Sequence, residues 1–275
     1  MLSELQLRVV HQHTANTLAD AYVTPPFKIL TLPFIANDWH RQHQVLNLMQ
    51  MSSSPGLLGG DCAQIDIQIE TCAGLHMHTQ SFTRVLSMNA GQFAQQNMNV
   101  YMADDARFCY VPLPLVLHAG ADFRQHTRID MGKRAELIFG EVLASGRTLN
   151  GEHFAFARLS SQIRVYHAEK LLLFDNLLLR PTLQNIQAMG QMETYSHQAN
   201  WYYVHTHDDI QVRALYYTLS AVLSELNAQY GSEVLLGVTC STPEIIVVRS
   251  LAHSSEVLQN LLALCTQQAM SFGSS

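Results

Sequence analysis

Three carboxylates in this chain, Glu141, Asp61 and Glu152, stand where an acid could hold a proton, a cation or a turn. Glu141 interrupts the apolar run Leu137-Ile138-Phe139-Gly140-Glu141-Val142-Leu143, and a carboxylate inside such a run is costly to bury unless it is paired or hydrated. Strand alternation puts it on the same face as Phe139 and Leu143. Either it pairs with a cation such as Arg147, or it faces a water-filled passage. Asp61 ends the glycine turn Pro55-Gly56-Leu57-Leu58-Gly59-Gly60. There a carboxylate either caps backbone N–H groups or acts as a hard oxygen ligand that hands a divalent ion onward. Glu152 and Arg147 flank Thr148-Leu149-Asn150-Gly151, whose Asn-Gly dipeptide is a strong hairpin-turn signal. An Arg147–Glu152 ion pair across that turn is geometrically easy and would lock it; a ligand role for Glu152 is the alternative.

Fourteen histidines add softer ligands. His76 and His78 share one face of a strand, and His205-Thr206-His207-Asp208-Asp209 is a denser cluster; His11 and His13 form a third pair. Imidazole suits Ni²⁺ and Zn²⁺, and carboxylates can complete a site. Two ligands alone make a weak site, however, and paired histidines on a strand are more often a polar face. No G-x-S-x-G elbow, H-E-x-x-H, P-loop or G-x-G-x-x-G occurs in the sequence.

The elements that must position these groups read mainly as strands. Ile65, Ile67 and Ile69 alternate with Asp66, Gln68 and Glu70. Further strand runs follow through Leu75–His78, Met98–Met102, Phe108–Val111, Leu137–Leu143, Ile163–Tyr166 and Leu171–Phe174, with turns at Ala73-Gly74, 103–106 and 167–170. Strands this frequent with no helices between them predict an antiparallel all-β body. The tail differs. Asp208 or Asp209 can cap a helix carrying Leu215, Leu219, Val222, Leu223 and Leu226 at helical spacing, with Gly231 beyond its end. Strands at Val234–Val238 and Ile245–Val248 follow, and Ser254 or Ser255 caps a last helix. The expected division is a β-rich body over 1–190 and an α+β region with two helices over 191–275, packed together as one unit.

Charged residues make up 14% of the 275, and the net charge is −6, which argues against a general nucleic-acid or acidic-membrane binder. A sparsely charged surface favours burial against partners. Five scattered cysteines show no C-x-x-C spacing, the first residues lack a signal-peptide pattern, and no apolar run reaches membrane-span length. A reduced, cytoplasmic protein is expected.

The ordered set of Thr24-Pro25-Pro26-Phe27-Lys28, the Pro55–Asp61 turn, Thr79-Gln80-Ser81-Phe82-Thr83-Arg84 and Gly146-Arg147-Thr148-Leu149-Asn150-Gly151-Glu152-His153-Phe154 resembles the UreD (UreH) family of urease accessory proteins. The resemblance covers most of the chain and is dense from about Thr24 to Pro181. It implies a mainly β fold of two-layer, helically wound sheets with a pair of helices in the C-terminal part. It also implies a non-enzymatic metallochaperone role: passing transient Ni²⁺ into apo-urease in a complex with UreF and the GTPase UreG. A dimer of that complex stays open. Under the resemblance, Asp61, Glu141 and Glu152 are candidates for the nickel path, and Gly59, Gly60, Arg84, Gly146 and Arg147 support them. Arg84 would attract a partner's carboxylates or orient a tunnel carboxylate, a solvated surface arginine being the simpler reading. Two other functions compete. One is a carbohydrate-active enzyme using Asp61 and Glu141 as its carboxylate pair, although aromatics are only 8% of the chain and tryptophan occurs only at Trp39 and Trp201. The other is an assembly protein that never touches metal.

Overall fold

The computed structural model describes residues 1–12, 14–33, 39, 43–207 and 209–272. Seventeen strands form two sheets among these residues. The first sheet contains β1 (Leu2–Gln12), β2 (Ala15–Val23), β5 (Cys62–Ile69), β8 (Ala94–Met102), β11 (Asp122–Met131), β13 (Arg158–His167) and β14 (Lys170–Leu179), in the spatial order β14-β13-β11-β8-β5-β1-β2. The second contains β3 (Phe27–Thr31), β4 (Leu46–Ser52), β6 (Gly74–Thr79), β9 (Arg107–Tyr110), β12 (Glu136–Ala144), β15 (His197–His205), β16 (Val234–Thr242) and β17 (Ile245–Ala252), ordered β16-β17-β15-β12-β9-β6-β4-β3. The short strands β7 (Thr83–Val85) and β10 (Leu115–Leu117) attach to its side through β12.

Through the body the chain crosses from one sheet to the other at nearly every turn. The turn at 70–73 carries β5 of the first sheet into β6 of the second, and the turn at 103–106 carries β8 into β9. Most strands of the body therefore lie beside an earlier strand running the same way. The pairs β1–β5, β5–β8, β8–β11, β11–β13, β4–β6, β6–β9 and β9–β12 are all parallel. The antiparallel body expected from the sequence is thus corrected. Turn residues signal a reversal of direction, but a reversal that changes sheet stacks strands in parallel without needing a helix, which is how a wound sheet differs from a meander. The turn at 167–170 is a true hairpin: Ala168 and Glu169 both have positive φ, and β13 and β14 pair antiparallel.

Parallel winding in register makes rows of like side chains. Leu7, Ile67, Val100, Ile129 and Val165 form one inward row of the first sheet. Opposite them stand Leu75, Phe108, Leu137 and Val204 of the second sheet, and all pack in one core cluster. The central strands of the second sheet, β12, β15 and β17, are buried on both faces. The outer side of that sheet carries α1 (Asp209–Tyr230) and α2 (Ser255–Phe272), whose Leu215, Leu219, Leu258 and Leu262 pack on Ile138, Trp201 and Tyr203. Ser254 caps α2 by accepting the Glu256 N–H at 3.2 Å; Asp208 lies outside the described residues. At Gly140 a Cβ would come within 3.1 Å of Val111 and 3.3 Å of Leu262, so the missing side chain sets how closely α2 approaches the sheet. No helix among the described residues is long and apolar enough to cross a membrane.

Leu262 is fully buried at this helix–sheet contact. Leu262→Ala is expected to lower unfolding stability by about 2–5 kcal/mol, read as a shift in the urea midpoint with an unchanged slope.

Candidate functional site

The inward rows of the two sheets are apolar at one end and polar in the middle. One row of the first sheet runs Ala63, Gln96, Gln125, Ser161, Leu177. The facing row of the second sheet runs Glu141, Asn200, Arg249 on the adjacent strands β12, β15 and β17. Between them lies a cavity of about 60 Å³, lined by Gln96, Gln125, Glu141, Ser161 and Asn200 and closed above and below by apolar side chains that include Phe139 and Leu143. Phe139 belongs to the main inter-sheet core and Leu143 to a separate cluster around Phe123 and Phe156. The polar chamber therefore separates two apolar clusters.

Glu141 is the one carboxylate among the residues lining the chamber. It accepts hydrogen bonds from Gln125 Nε2 and, at 3.4 Å, from Ser161 Oγ. Burial, followed by the charge of Asp175, pushes its carboxyl up to about 7, and the Ser161 and Gln125 hydrogen bonds oppose the shift only in part. Of the two sequence readings for Glu141, pairing with Arg147 is excluded. Glu141 points into the chamber, and Arg147 spends its guanidinium elsewhere.

Arg147 forms a fork with Glu152, its Nε donating to Oε2 at 2.9 Å and its Nη2 to Oε1. Glu152 also accepts the Ala119 N–H at 3.3 Å. The Arg147 hydrogen bond, with its charge, holds the Glu152 carboxyl below its usual range. The segment between them is one turn of 3₁₀ helix, Thr148–Asn150, ended by Gly151 with φ of +76°, rather than the two-residue hairpin that Asn150-Gly151 suggested. No strand precedes or follows it closely enough to form a hairpin, so the left-handed glycine ends a helical turn instead. Gly146 makes the fork possible: a Cβ there would fall 2.8 Å from the Glu152 carbonyl oxygen.

Asp61 caps its turn. Oδ2 accepts the Leu58 N–H at 2.9 Å, and Oδ1 lies 3.0 Å from the Met1 nitrogen. Gly59 and Gly60 shape the same turn, with Gly60 N–H donating to Phe93 O at 2.8 Å. Arg84 is exposed, with no salt bridge to a carboxylate among the described residues; it shares a cavity of about 170 Å³ with Asp61. Asp61, Glu141 and Glu152 thus do not converge. They belong to three places joined by shared walls. Thr83 and Gln96 line both the chamber and the Asp61 cavity, and Phe82 and Arg84 line both the latter and an open groove beside Arg147. Asp61 and Glu141 do not flank a single cleft as a glycosidase pair must, and Trp39 and Trp201 are both buried, leaving neither as a sugar-stacking platform.

The His76 and His78 ring centroids lie 3.9 Å apart with the planes tilted by 39°, and His78 Nε2 lies 2.6 Å from Asn47 Oδ1. Burial pushes His78 toward its neutral form. Among the described residues no three His, Cys, Asp or Glu side chains are grouped to hold a metal ion; His13 and Asp208 fall outside that set. Residues that the sequence reading missed are Gln125, Ser161, Asn200, Asp175, Tyr202 and Arg249. Asp175 carried the same signal as Glu141, an acid inside the apolar run Leu171-Leu172-Leu173-Phe174-Asp175-Asn176-Leu177-Leu178-Leu179.

Two measurements follow from these geometries. Because folding raises the Glu141 carboxyl, its unfavourable contribution is absent below the ordinary value of 4.5, grows as pH rises, and is complete above about 7. Glu141→Gln is therefore expected to be more stable than the parent by about 3 kcal/mol at pH 8 and to match it near pH 4, in parallel denaturation curves. Arg147→Ala, at a half-exposed fork, should leave the denaturation midpoint nearly unchanged in the same assay.

Comparison with known proteins covers nearly the whole chain. Residues 2–272 match the UreD urease accessory protein family. The urease accessory protein UreD of Actinobacillus pleuropneumoniae serotype 5b (strain L20) is 38% identical over 263 residues, covering 95% of this chain and 94% of that one. The urease accessory protein UreD of Haemophilus influenzae strain 86-028NP is 37% identical over 268 residues, covering 95% and 96%. That of H. influenzae strain Rd is 42% identical over 210 residues, covering 74% and 79%. With a family match over nearly its full length and relatives of this identity and coverage, the chain belongs to the UreD family of urease accessory proteins.

Proposed function

We propose that this chain serves urease maturation in the cytoplasm by guiding Ni²⁺ into the urease apoprotein, docking on it and receiving the ion from a complex of UreF and the GTPase UreG. The observation that carries this reading is the chamber around Glu141: one carboxylate, largely withdrawn from solvent, set among neutral amide and hydroxyl oxygens between two apolar clusters.

Such a donor set suits transit. A route must bind its cargo weakly enough to release it, and a cage of three or four anionic or imidazole ligands would retain Ni²⁺. A single carboxylate whose proton affinity lies near neutrality exchanges a proton for a cation at little cost, so entry and exit couple to proton movement. Neutral oxygens from Gln96, Gln125, Ser161 and Asn200 replace part of the hydration shell without adding charge. Asp61 stands in the adjoining cavity and Glu152 beside the next, giving the ion carboxylates at intervals rather than in one cluster. No nucleotide-binding motif occurs in the chain, so any GTP hydrolysis belongs to the partner.

The test is the nickel content of urease purified from cells that carry the cognate urease and accessory genes with Glu141→Gln in place of the parent chain. Glutamine keeps the volume and an acceptor oxygen but not the charge. Nickel per urease should fall severalfold while the accessory complex still copurifies. Full nickel loading with an intact complex would remove the chamber from the route and favour an assembly role without metal contact.

A further inference from the structure

The Glu141 chamber shares a wall with a second cavity. A groove of about 670 Å³ opens between β14 and β16, the edge strands of the two sheets, and Leu177 and Gln198 line both spaces. Arg249 lines the groove, followed by Ser250 and Leu251 on the same strand. Strand register sets it in one row with Asn200 and Glu141, each one strand further in, a spacing of about 4.8 Å per strand. Its Nη2 donates to Asp175 Oδ2 at 2.5 Å, and its Nη1 donates to Asn200 Oδ1 at 3.1 Å. The Tyr202 hydroxyl donates to the same Asp175 oxygen at 2.5 Å. Asp175 is 12% exposed and Arg249 53%, so the acid is turned inward and the cation lies toward the groove. The charge of Asp175 reaches Glu141, and Arg249 is the only cation in salt-bridge contact with Asp175 among the described residues.

We propose that Arg249 gates the passage between the Glu141 chamber and the groove by competing with a divalent cation for Asp175. With its guanidinium on Asp175 the gate is closed: the carboxylate is neutralised, Asn200 is held, and a positive charge faces any cation leaving the chamber. With the guanidinium swung into the groove, Asp175 and Glu141 become two carboxylates available to one oxygen-preferring divalent ion. Arginine keeps its charge across the accessible pH range, so the gate opens by displacement and not by titration. A half-exposed ion pair costs little to part, and the groove gives the side chain room to move. This inference rests on the cation-carrying reading of the chamber.

Ni²⁺ binding to the purified full chain, followed by titration calorimetry, tests the gate. Arg249→Met removes the charge but keeps the stem, and Arg249→Gln is a second uncharged variant able to keep an Asn200 contact. Either should bind Ni²⁺ about fivefold more tightly than the parent. Arg249→Lys should bind as the parent does, and the gain should disappear in Arg249→Met combined with Asp175→Asn. A merely structural ion pair, tying β17 of one sheet to β14 of the other, would lower stability in the Met and Lys variants alike and leave affinity unmoved. Equal affinity in the parent and the uncharged variants, or no measurable binding by any of them, overturns the gate. The chamber reading fails separately, on the nickel content of urease matured with the Glu141 variant.

Discussion

Register between parallel strands is the constraint on which the rest of this protein depends. A slip of one residue would turn every inward side chain of a strand to the opposite face. Here it would send Gln125 or Ser161 outward and break the hydrogen bonds that hold Glu141. The fold fixes register by stacking branched and aromatic side chains in inward rows on the same face as the polar one: Leu7, Ile67, Val100 and Ile129 in the first sheet, with Phe108 and Leu137 facing them. The apolar rows specify where the strands lie, and the polar row takes its place from them.

The strand β12 illustrates how environment separates two buried acids. Glu136 and Glu141 lie on opposite faces of it. Glu136 faces the helix layer, where Trp39 Nε1 donates to it at 3.2 Å and the Tyr203 hydroxyl at 3.3 Å, with Arg107 Nε 3.5 Å away. Burial raises its carboxyl, but these three groups all favour the charged form. Glu141 has amide and hydroxyl donors only, and the charge that acts on it is that of another acid, Asp175. The first is tied to a cation and aromatic donors and acts as a brace between layers. The second keeps the capacity to exchange its proton.

Much of this was legible in the sequence. Alternation in Ile65, Ile67 and Ile69 gave their burial, the acid in an apolar run singled out Glu141, and the two late helices and the strands between them lie where their patterns put them. What stayed hidden is tertiary. The sequence marks a strand and a turn but not the sheet to which the next strand goes, so parallel winding read as a meander. Strand β1 was passed over although Leu5, Leu7 and Val9 alternate cleanly and are buried. Gln96, Gln125, Ser161 and Asn200 look like the solvent face of any strand; only the opposing row reveals that they face inward. Arg249 follows four apolar residues in β17 and has the ordinary look of a surface cation until Asp175 is found across the layer.

Gly140 has a mechanical meaning. It is the residue next to Glu141, and Leu262 of α2 would touch its Cβ if it had one. Elsewhere on a strand buried on both faces, a side chain stands between the covering layer and the backbone and can absorb a displacement by changing rotamer. At this point nothing intervenes. The Leu262 side chain, with Val111 beside it, packs directly on the main chain that carries the chamber's acid, so a shift of α2 bears on the polar row with no sheet side chain to absorb it.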